Sequence, residues 1–220
     1  MLKKYENLLN LDATIAKELF NNAQYPWEVL PLIKDFILKI GPTLSDEYIL
    51  YKDNVWVHKS VKISDKADIN APVIIDEDTE IRPGAFIRGS AIIGKNCVIG
   101  NSTEVKNAII FDNCQCPHYN YVGDAILGDH AHTGAGVILS NVKSDKSNVV
   151  IKDDEKHETG LRKMSAILGD YADIGCNSVL CPGTIIGKHT NVYPLTMVRG
   201  VIGDNKIVKS MDNIVDKEQR

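Results

Sequence analysis

A strict six-residue period dominates this chain. Val57, Ile63, Ile69, Ile75, Ile81, Ile87, Ile93, Ile99 and Val105 stand six apart, and all are β-branched aliphatics. Valine and isoleucine supply 44 of the 220 residues. Nine consecutive hits in a fixed register therefore arise by chance on the order of once in a million. Four residues after the anchors come mostly small side chains: Ala67, Thr79, Ala85, Ala91, Cys97 and Thr103, with Val61 and Val73 somewhat larger. Gly94 and Gly100 directly follow two anchors. The period is not helical, because six drifts against about 3.6 residues per turn. It predicts a mainly β fold, a parallel β-helix wound from short strands and turns. The aliphatic points inward and the small residue sits where the wall bends.

The period returns at Leu168, Ile174, Leu180, Ile186, Val192 and Val198, with Ala172, Ser178, Thr184, Thr190 and Thr196 as the small partners. Between the two runs, Ile110, Cys116, Val122, Leu127 and Thr133 keep the rhythm, with five-residue steps at 105–110 and 122–127. Residues 140–166 leave it altogether. They are polar apart from Val149-Val150-Ile151, and predict a loop or hairpin leaving the prism. Segments this long in a compact domain are often functional.

Residues 1–52 read as an N-terminal helical region. Leu8, Leu11, Ile15, Leu19 and Phe20 fit one apolar face. Val29, Leu30, Ile33, Phe36, Ile37 and Ile40 fit a second, which stops at Gly41-Pro42. This region is too small for a core of its own, and is expected to cap the next unit or a neighbouring subunit. The β-helix is placed at 53–205. The polar tail, 206–220, is read as a short helix.

Composition excludes several classes. A net charge of -4 argues against nucleic acid as the main partner. No apolar run approaches the roughly 20 residues of a membrane span. Met1-Leu2-Lys3-Lys4-Tyr5-Glu6 lacks the features of a signal peptide. Cys97, Cys114, Cys116, Cys176 and Cys181 make an odd count, which favours free thiols in a reducing cytoplasm.

The run Pro117-His118-Tyr119-Asn120-Tyr121-Val122-Gly123-Asp124 concentrates a histidine and two tyrosines within the repeats. Cys116 and Val122 fall on anchor positions, which leaves His118 and Tyr121 free to face a substrate. Cys114-Gln115-Cys116-Pro117-His118 has a metal-site look, but both cysteines fall on inward positions, so no metal is expected.

With this run, Gly134-Ala135-Gly136 and Ser140-Asn141, the chain resembles the hexapeptide-repeat acyltransferases, which fold as left-handed parallel β-helices and act as trimers. It is most similar to the acetyltransferase domain of bifunctional sugar-1-phosphate nucleotidyltransferase/acetyltransferases, over roughly residues 55–205. The resemblance implies an acetyl-CoA-dependent N-acetyltransferase acting on an amino-sugar 1-phosphate. His118 stands for the catalytic base. Tyr121, Lys106 and an upstream arginine stand for sugar-phosphate contacts. The arginine is Arg88 by spacing and Arg82 by the local Arg-Pro-Gly-Ala motif, and Arg88 is preferred. Asn141 stands for a sugar-site asparagine, and His132 occupies another substrate position, where the family has asparagine. Gly134, Ala135, Gly136 and Cys176 stand on the coenzyme A side.

Departures from the family's pattern cluster on that donor side. Cys176 replaces a serine, Pro194 an alanine, and the basic C-terminal segment is not recognisable. These substitutions motivate two alternatives: a sugar-phosphate or sugar-nucleotide binding protein without catalysis, and an acyltransferase with another donor or acceptor. Nothing in residues 1–52 resembles a Gly-rich nucleotide-binding start, so no pyrophosphorylase activity is expected. A carbonic-anhydrase branch of the same fold uses histidine-bound metal, but His118, His130 and His132 lack its spacing.

The chemistry follows from the residue types. An amine must lose its proton before attacking a thioester, and histidine, with an unperturbed pKa of about 6.5, suits that task. The tetrahedral oxyanion needs preorganised donors, for which the Gly134-Ala135-Gly136 backbone is the candidate.

Overall fold

The structure is a computed structural model and describes residues 4–218. Met1–Lys3, part of the stretch read above for a leader, and the last two residues of the tail lie outside them.

Residues 55–210 form a three-faced, left-handed parallel β-helix. One coil shows the plan. Val98–Asn101 lies on the first face, and Glu104–Ile110 runs over the second and third. Gln115–His118 then returns to the first face, in parallel register with Val98–Asn101. The first face is a nine-stranded sheet, whereas the second and third merge into a sheet of 14 strands.

The five-residue steps cause that merger. Glu104–Ile110 and Tyr121–Leu127 each cross the corner as one continuous strand. The first half of Glu104–Ile110 pairs with Phe86–Ile87 and its second half with Ala91–Ile93. A corner shortened by one residue needs a left-handed backbone, supplied by Asn107 (φ 47°) and Asp124 (φ 53°). Asn and Asp enter that region more readily than other non-glycine residues.

Every six-residue anchor from Ile69 to Val198 is buried, and the series continues inward at Ile202 and Val208. The small partners line the bends. Several are threonines whose buried hydroxyls donate to the carbonyl of a neighbouring coil, as Thr79 does to Gly94 (2.7 Å) and Thr190 to Gly203 (2.7 Å). These bonds remove the penalty of burying a hydroxyl. Coil stacking also explains Gly100, where an added Cβ would sit 1.7 Å from the Pro117 carbonyl oxygen.

Two expectations need correction. First, residues 1–52 are not helical throughout. Helical turns end at Thr43, and Tyr48–Lys52 is a strand antiparallel to Val55–His58. Second, the tail is not helical. Lys206–Ser210 extends the first face, and Asn213–Asp216 folds back on it antiparallel. At each end of the stack a hairpin satisfies backbone groups that the terminal coil would leave open. One face of the prism is also covered. The outward residues of the third face, Ile74, Ile92, Ile109, Ile126, Ile167 and Ile185, are fully buried.

The N-terminal region covers that third face. Its helix Ile33–Ile40 buries Ile33, Phe36 and Ile37, and Phe20 meets Phe111 edge-on. The Ala13 and Leu8 carbonyls accept from the Asp112 and Asp170 N–H groups. Each buried isoleucine contributes about 1.5–3 kcal/mol relative to exposure.

Residues 140–166 do leave the coil, as a hairpin pairing Val150–Lys152 with Lys156–Glu158. The excursion stays close to the prism. Val149, Ile151 and Met164 are buried, and an added Cβ at Gly183 would meet Val149 at 2.8 Å. His157 lies edge-on to Tyr25 of the N-terminal region.

Candidate active site

Coil length decides which residues share a corner. On the corner between the first and second faces, His118 is in register with Asn101. The same pairing, carried down the stack from Gln115↔His132 and His132↔Asp173, places Ala135 and then Cys176 in the next two coils. Pro194 follows Cys176. The predicted base and the predicted donor-side residues therefore form one column.

His118 ends the strand Gln115–His118, and its exposed ring makes no hydrogen bond among the described residues. Its backbone is fixed from below. Asn120 occupies an interior position that other coils give to small residues such as Ala85 and Thr103. The Asn120 Oδ1 accepts the His118 N–H (3.2 Å), and its Nδ2 donates to the Gly134 carbonyl (2.7 Å). Sequence reasoning passed over Asn120. The signal was available, as a large polar residue at a small-residue position.

The Gly134-Ala135-Gly136 backbone is less free than the sequence suggests. Gly134 N–H donates to Ile174 (2.7 Å) and Gly136 N–H to His118 (3.0 Å). Among the described residues only the Ala135 N–H of the three has no partner.

The corner between the second and third faces carries the polar cluster. Arg88, Lys106, Gly123 and Ser140 occupy equivalent places in successive coils. Asn141 follows Ser140, and Tyr121 projects from the second face. Asp124, with only 4% of its surface exposed, binds the group together. Its Oδ1 accepts from Asn107 Nδ2 (2.9 Å) and its Oδ2 from Asn141 Nδ2 (2.6 Å). Lys106 Nζ stands 3.5 Å from the same Oδ2. Asn141 Nδ2 also donates to the Tyr121 hydroxyl (3.0 Å). Glu104 holds Arg88 Nη1 at 2.6 Å. Each cation thus has a carboxylate partner, and the cluster is close to neutral.

Partial burial, and then the Asp124 and Glu104 carboxylates, hold the Tyr121 pKa above the usual tyrosine value. Tyr121 is a neutral donor at physiological pH. The hydrogen bond to Glu104 raises the Arg88 guanidinium further.

The structure brings together Arg88, Lys106, Tyr121 and Asn141. Arg82 is elsewhere: it pairs with Glu80 (3.0 Å) and is level with Gly100 and Pro117, one position before the His118 column. His132 is not brought to the cluster. It stands on the first face, with its Nδ1 2.8 Å from Asp173 Oδ1. That hydrogen bond, more than any other influence, lowers the Asp173 pKa. Glu104, Asn107 and Asp124 were not singled out from sequence, since their role depends on contacts one coil away.

Cys114 and Cys116 are interior, as their positions predicted, and burial pushes the Cys116 thiol up to about 12. Among the described residues, no group of three or more His, Cys, Asp or Glu side chains is placed to hold a metal ion.

A prism of hexapeptide coils with this corner arrangement defines the chain as a left-handed β-helix protein of the hexapeptide-repeat class. Within that class it resembles the acetyltransferase domain of the GlmU-type sugar-1-phosphate enzymes. A family model described as the EIF2B subunit epsilon LbH domain matches residues 52–157. The bifunctional protein GlmU of Methanococcus maripaludis is 30% identical over 222 residues, covering 100% of this chain and 54% of that protein. A bifunctional sugar-1-phosphate nucleotidylyltransferase/acetyltransferase of Sulfurisphaera tokodaii is 29% identical over 166 residues, 67% of this chain and 41% of that protein. The chain spans about half the length, 54%, of the first of these relatives. Among solved structures, AntD, an N-acyltransferase from Bacillus cereus in complex with dTDP and 3-hydroxybutyryl-CoA, aligns with a TM-score of 0.37 and 18% identity. That alignment covers 74% of this chain and 82% of that one.

Proposed function

We propose that the chain transfers an acetyl group from acetyl-CoA to the amine of an amino-sugar 1-phosphate. The observation that carries this reading is the His118 column. A histidine ring without an internal partner, on a backbone clamped by Asn120, stands one coil from the unpartnered Ala135 N–H. The names of the curated relatives, which include sugar-1-phosphate acetyltransferases, support the same substrate class.

In this reading the sugar lies across the second face, between the two corners. Lys106 and the donors of Arg88 not engaged by Glu104 take the phosphate. Tyr121 and Asn141 take sugar oxygens. His118 accepts a proton from the amine as its nitrogen attacks the thioester carbonyl carbon. The Ala135 N–H donates to the oxyanion. Collapse breaks the C–S bond, and the proton held by His118 goes to the departing thiolate. Gly134, Gly136 and Cys176 shape the wall along which coenzyme A lies.

The protein is proposed to work as a homotrimer in the cytoplasm. The N-terminal region covers the third face, so subunit contacts fall to the other two. Ile138, Val179, Met197 and Leu195 (80% exposed) provide apolar surface at the second face and its adjoining corner. All five cysteines are free, which suits a reducing compartment.

The test is thiol release from acetyl-CoA across a panel of amino-sugar phosphates and amino-sugar nucleotides, with light scattering for the assembly. His118→Ala should cut turnover by about 10²–10⁴-fold while the fold is kept. Unchanged turnover removes His118 from the mechanism. Sugar-phosphate binding without coenzyme A binding replaces the enzyme reading with a binding protein.

A further inference from the structure

The corner that carries Arg88 and Lys106 continues down the stack through Gly123, Ser140 and Cys181 to Arg199. Below Asn141 it opens into a cleft of about 620 Å³, between the prism wall and the Val150–Glu158 hairpin. This size suits a small organic ligand, and is more than a lone phosphate needs.

The charge on the two sides of the cleft is uneven. Arg199 rises from the wall, while Lys152 and Lys156 line it from the hairpin. None of the three makes an ion pair among the described residues. Lys143, also on the lining, is paired with Asp145 at 3.5 Å. Glu158 is left as the other lining carboxylate, so the four cations exceed the two carboxylates by two. The chain as a whole carries -4.

The hairpin register sets the two lysines against each other. Lys152 and Lys156 are direct cross-strand partners. Like charges in that arrangement destabilise a strand pair. The other side of the ribbon is committed to packing, with Ile151 buried and His157 against Tyr25. Both lysines therefore share one side of a ribbon that cannot turn over, and an anion between them and Arg199 would relieve their repulsion.

We propose that this cleft binds the diphosphate group of a nucleotide, with Arg199 on one side and Lys152 and Lys156 on the other. An extended anion with charge at two centres matches cations on two facing walls. A nucleotide-linked acceptor and coenzyme A both carry such a group. The proposal does not depend on His118, and His118→Ala should bind the diphosphate as the unmodified chain does.

The test is calorimetric titration of the full chain with inorganic pyrophosphate. Binding should be detected and should weaken with salt. Arg199→Gln, and the double variant Lys152→Ala/Lys156→Ala, should each weaken it by about tenfold or more. Melting curves should show both variants folded, the double one no less stable. Amine-reactive labelling of Lys152 and Lys156 in the unmodified chain gives a second readout, and pyrophosphate should slow it. Competition then separates the sources: uridine diphosphate for a nucleotide-linked acceptor, and the phosphoadenosine diphosphate end of coenzyme A for the donor. No binding, unchanged binding in both variants, or competition by neither nucleotide would overturn the assignment.

Discussion

Asn141 donates to the Asp124 carboxylate at 2.6 Å, from one coil to the coil above it. That bond ties the entrance of the 140–166 excursion to the corner carrying Lys106. Asp124 also accepts from Asn107, so a buried carboxylate organises three donors. Asp124→Asn removes the charge and turns an amide towards groups that only donate. The expected cost is about 2–4 kcal/mol in urea unfolding, with a matching loss of acceptor affinity. A change under about 0.5 kcal/mol would show that Asp124 does not organise this corner.

Gly123 has an ordinary backbone conformation, and its lack of a side chain serves Tyr121. An added Cβ would lie 2.5 Å from the Tyr121 hydroxyl. That hydroxyl ends a side chain, so it moves more easily than backbone. Gly123→Ala should swing Tyr121 away from Asn141 while the coil stays intact. The acceptor KM should rise about tenfold, the value of one hydrogen bond in a charged site, with little change in melting temperature. An unchanged KM would place Tyr121 outside the acceptor site.

The cysteines should sort by burial. Cys97, Cys114 and Cys116 are interior, and burial raises the thiols of both Cys114 and Cys116. Cys176 is exposed and Cys181 half-buried. Iodoacetamide followed by peptide mapping should find Cys176 modified first and the interior three unmodified in the folded chain. Coenzyme A should slow Cys176 if the donor lies along the His118–Ala135–Cys176 column. Equal labelling with and without coenzyme A would place the donor elsewhere.

His132 and Asp173 make a second prediction outside the polar cluster. The folded-state pKa of Asp173 is depressed, chiefly by its hydrogen bond from His132. Its contribution to stability is therefore full above the ordinary value of 3.8, and is lost as pH falls through the lower folded value. Asp173→Asn should be less stable than the unmodified chain at neutral pH, and the gap should close below 3.8. Urea midpoints across this range measure it. A gap constant with pH would mean that the carboxylate charge contributes nothing.

The prism was legible because its inward positions repeat every six residues and tolerate only apolar or small side chains. The period alone did not show the His118 column: the resemblance supplied His118, Ala135 and Cys176 separately, and the strand register stacks them. What the period could not show is contact across its interruptions. His132 reaches Asp173 over 41 positions, because the excursion lies between them. Nothing in the period marks Asp124, which Lys106, Asn107 and Asn141 surround only once the coils are stacked. The covered third face left a trace that the anchor count ignored. In Ala91-Ile92-Ile93, Ala108-Ile109-Ile110 and Ala125-Ile126-Leu127 the central residue points outward, and its apolar character requires a cover.

Ile109 and Ile138 both point away from the prism axis, on different faces. Ile109 is fully buried beneath the N-terminal region, whereas Ile138 is 37% exposed on the second face. Ile109→Ala should cost about 2–5 kcal/mol, because the helices above it cannot fully collapse into the gap. Ile138→Ala removes side chain that already meets solvent in the single chain. Its effect on an isolated subunit should stay within about 0.5 kcal/mol. If the second face is buried between subunits, Ile138→Ala should weaken assembly, and light scattering would show dissociation at higher protein concentration than for the unmodified chain. The two substitutions therefore separate a cap made within one chain from an interface made between chains. Unchanged assembly together with unchanged stability in Ile138→Ala would remove this part of the second face from any subunit contact.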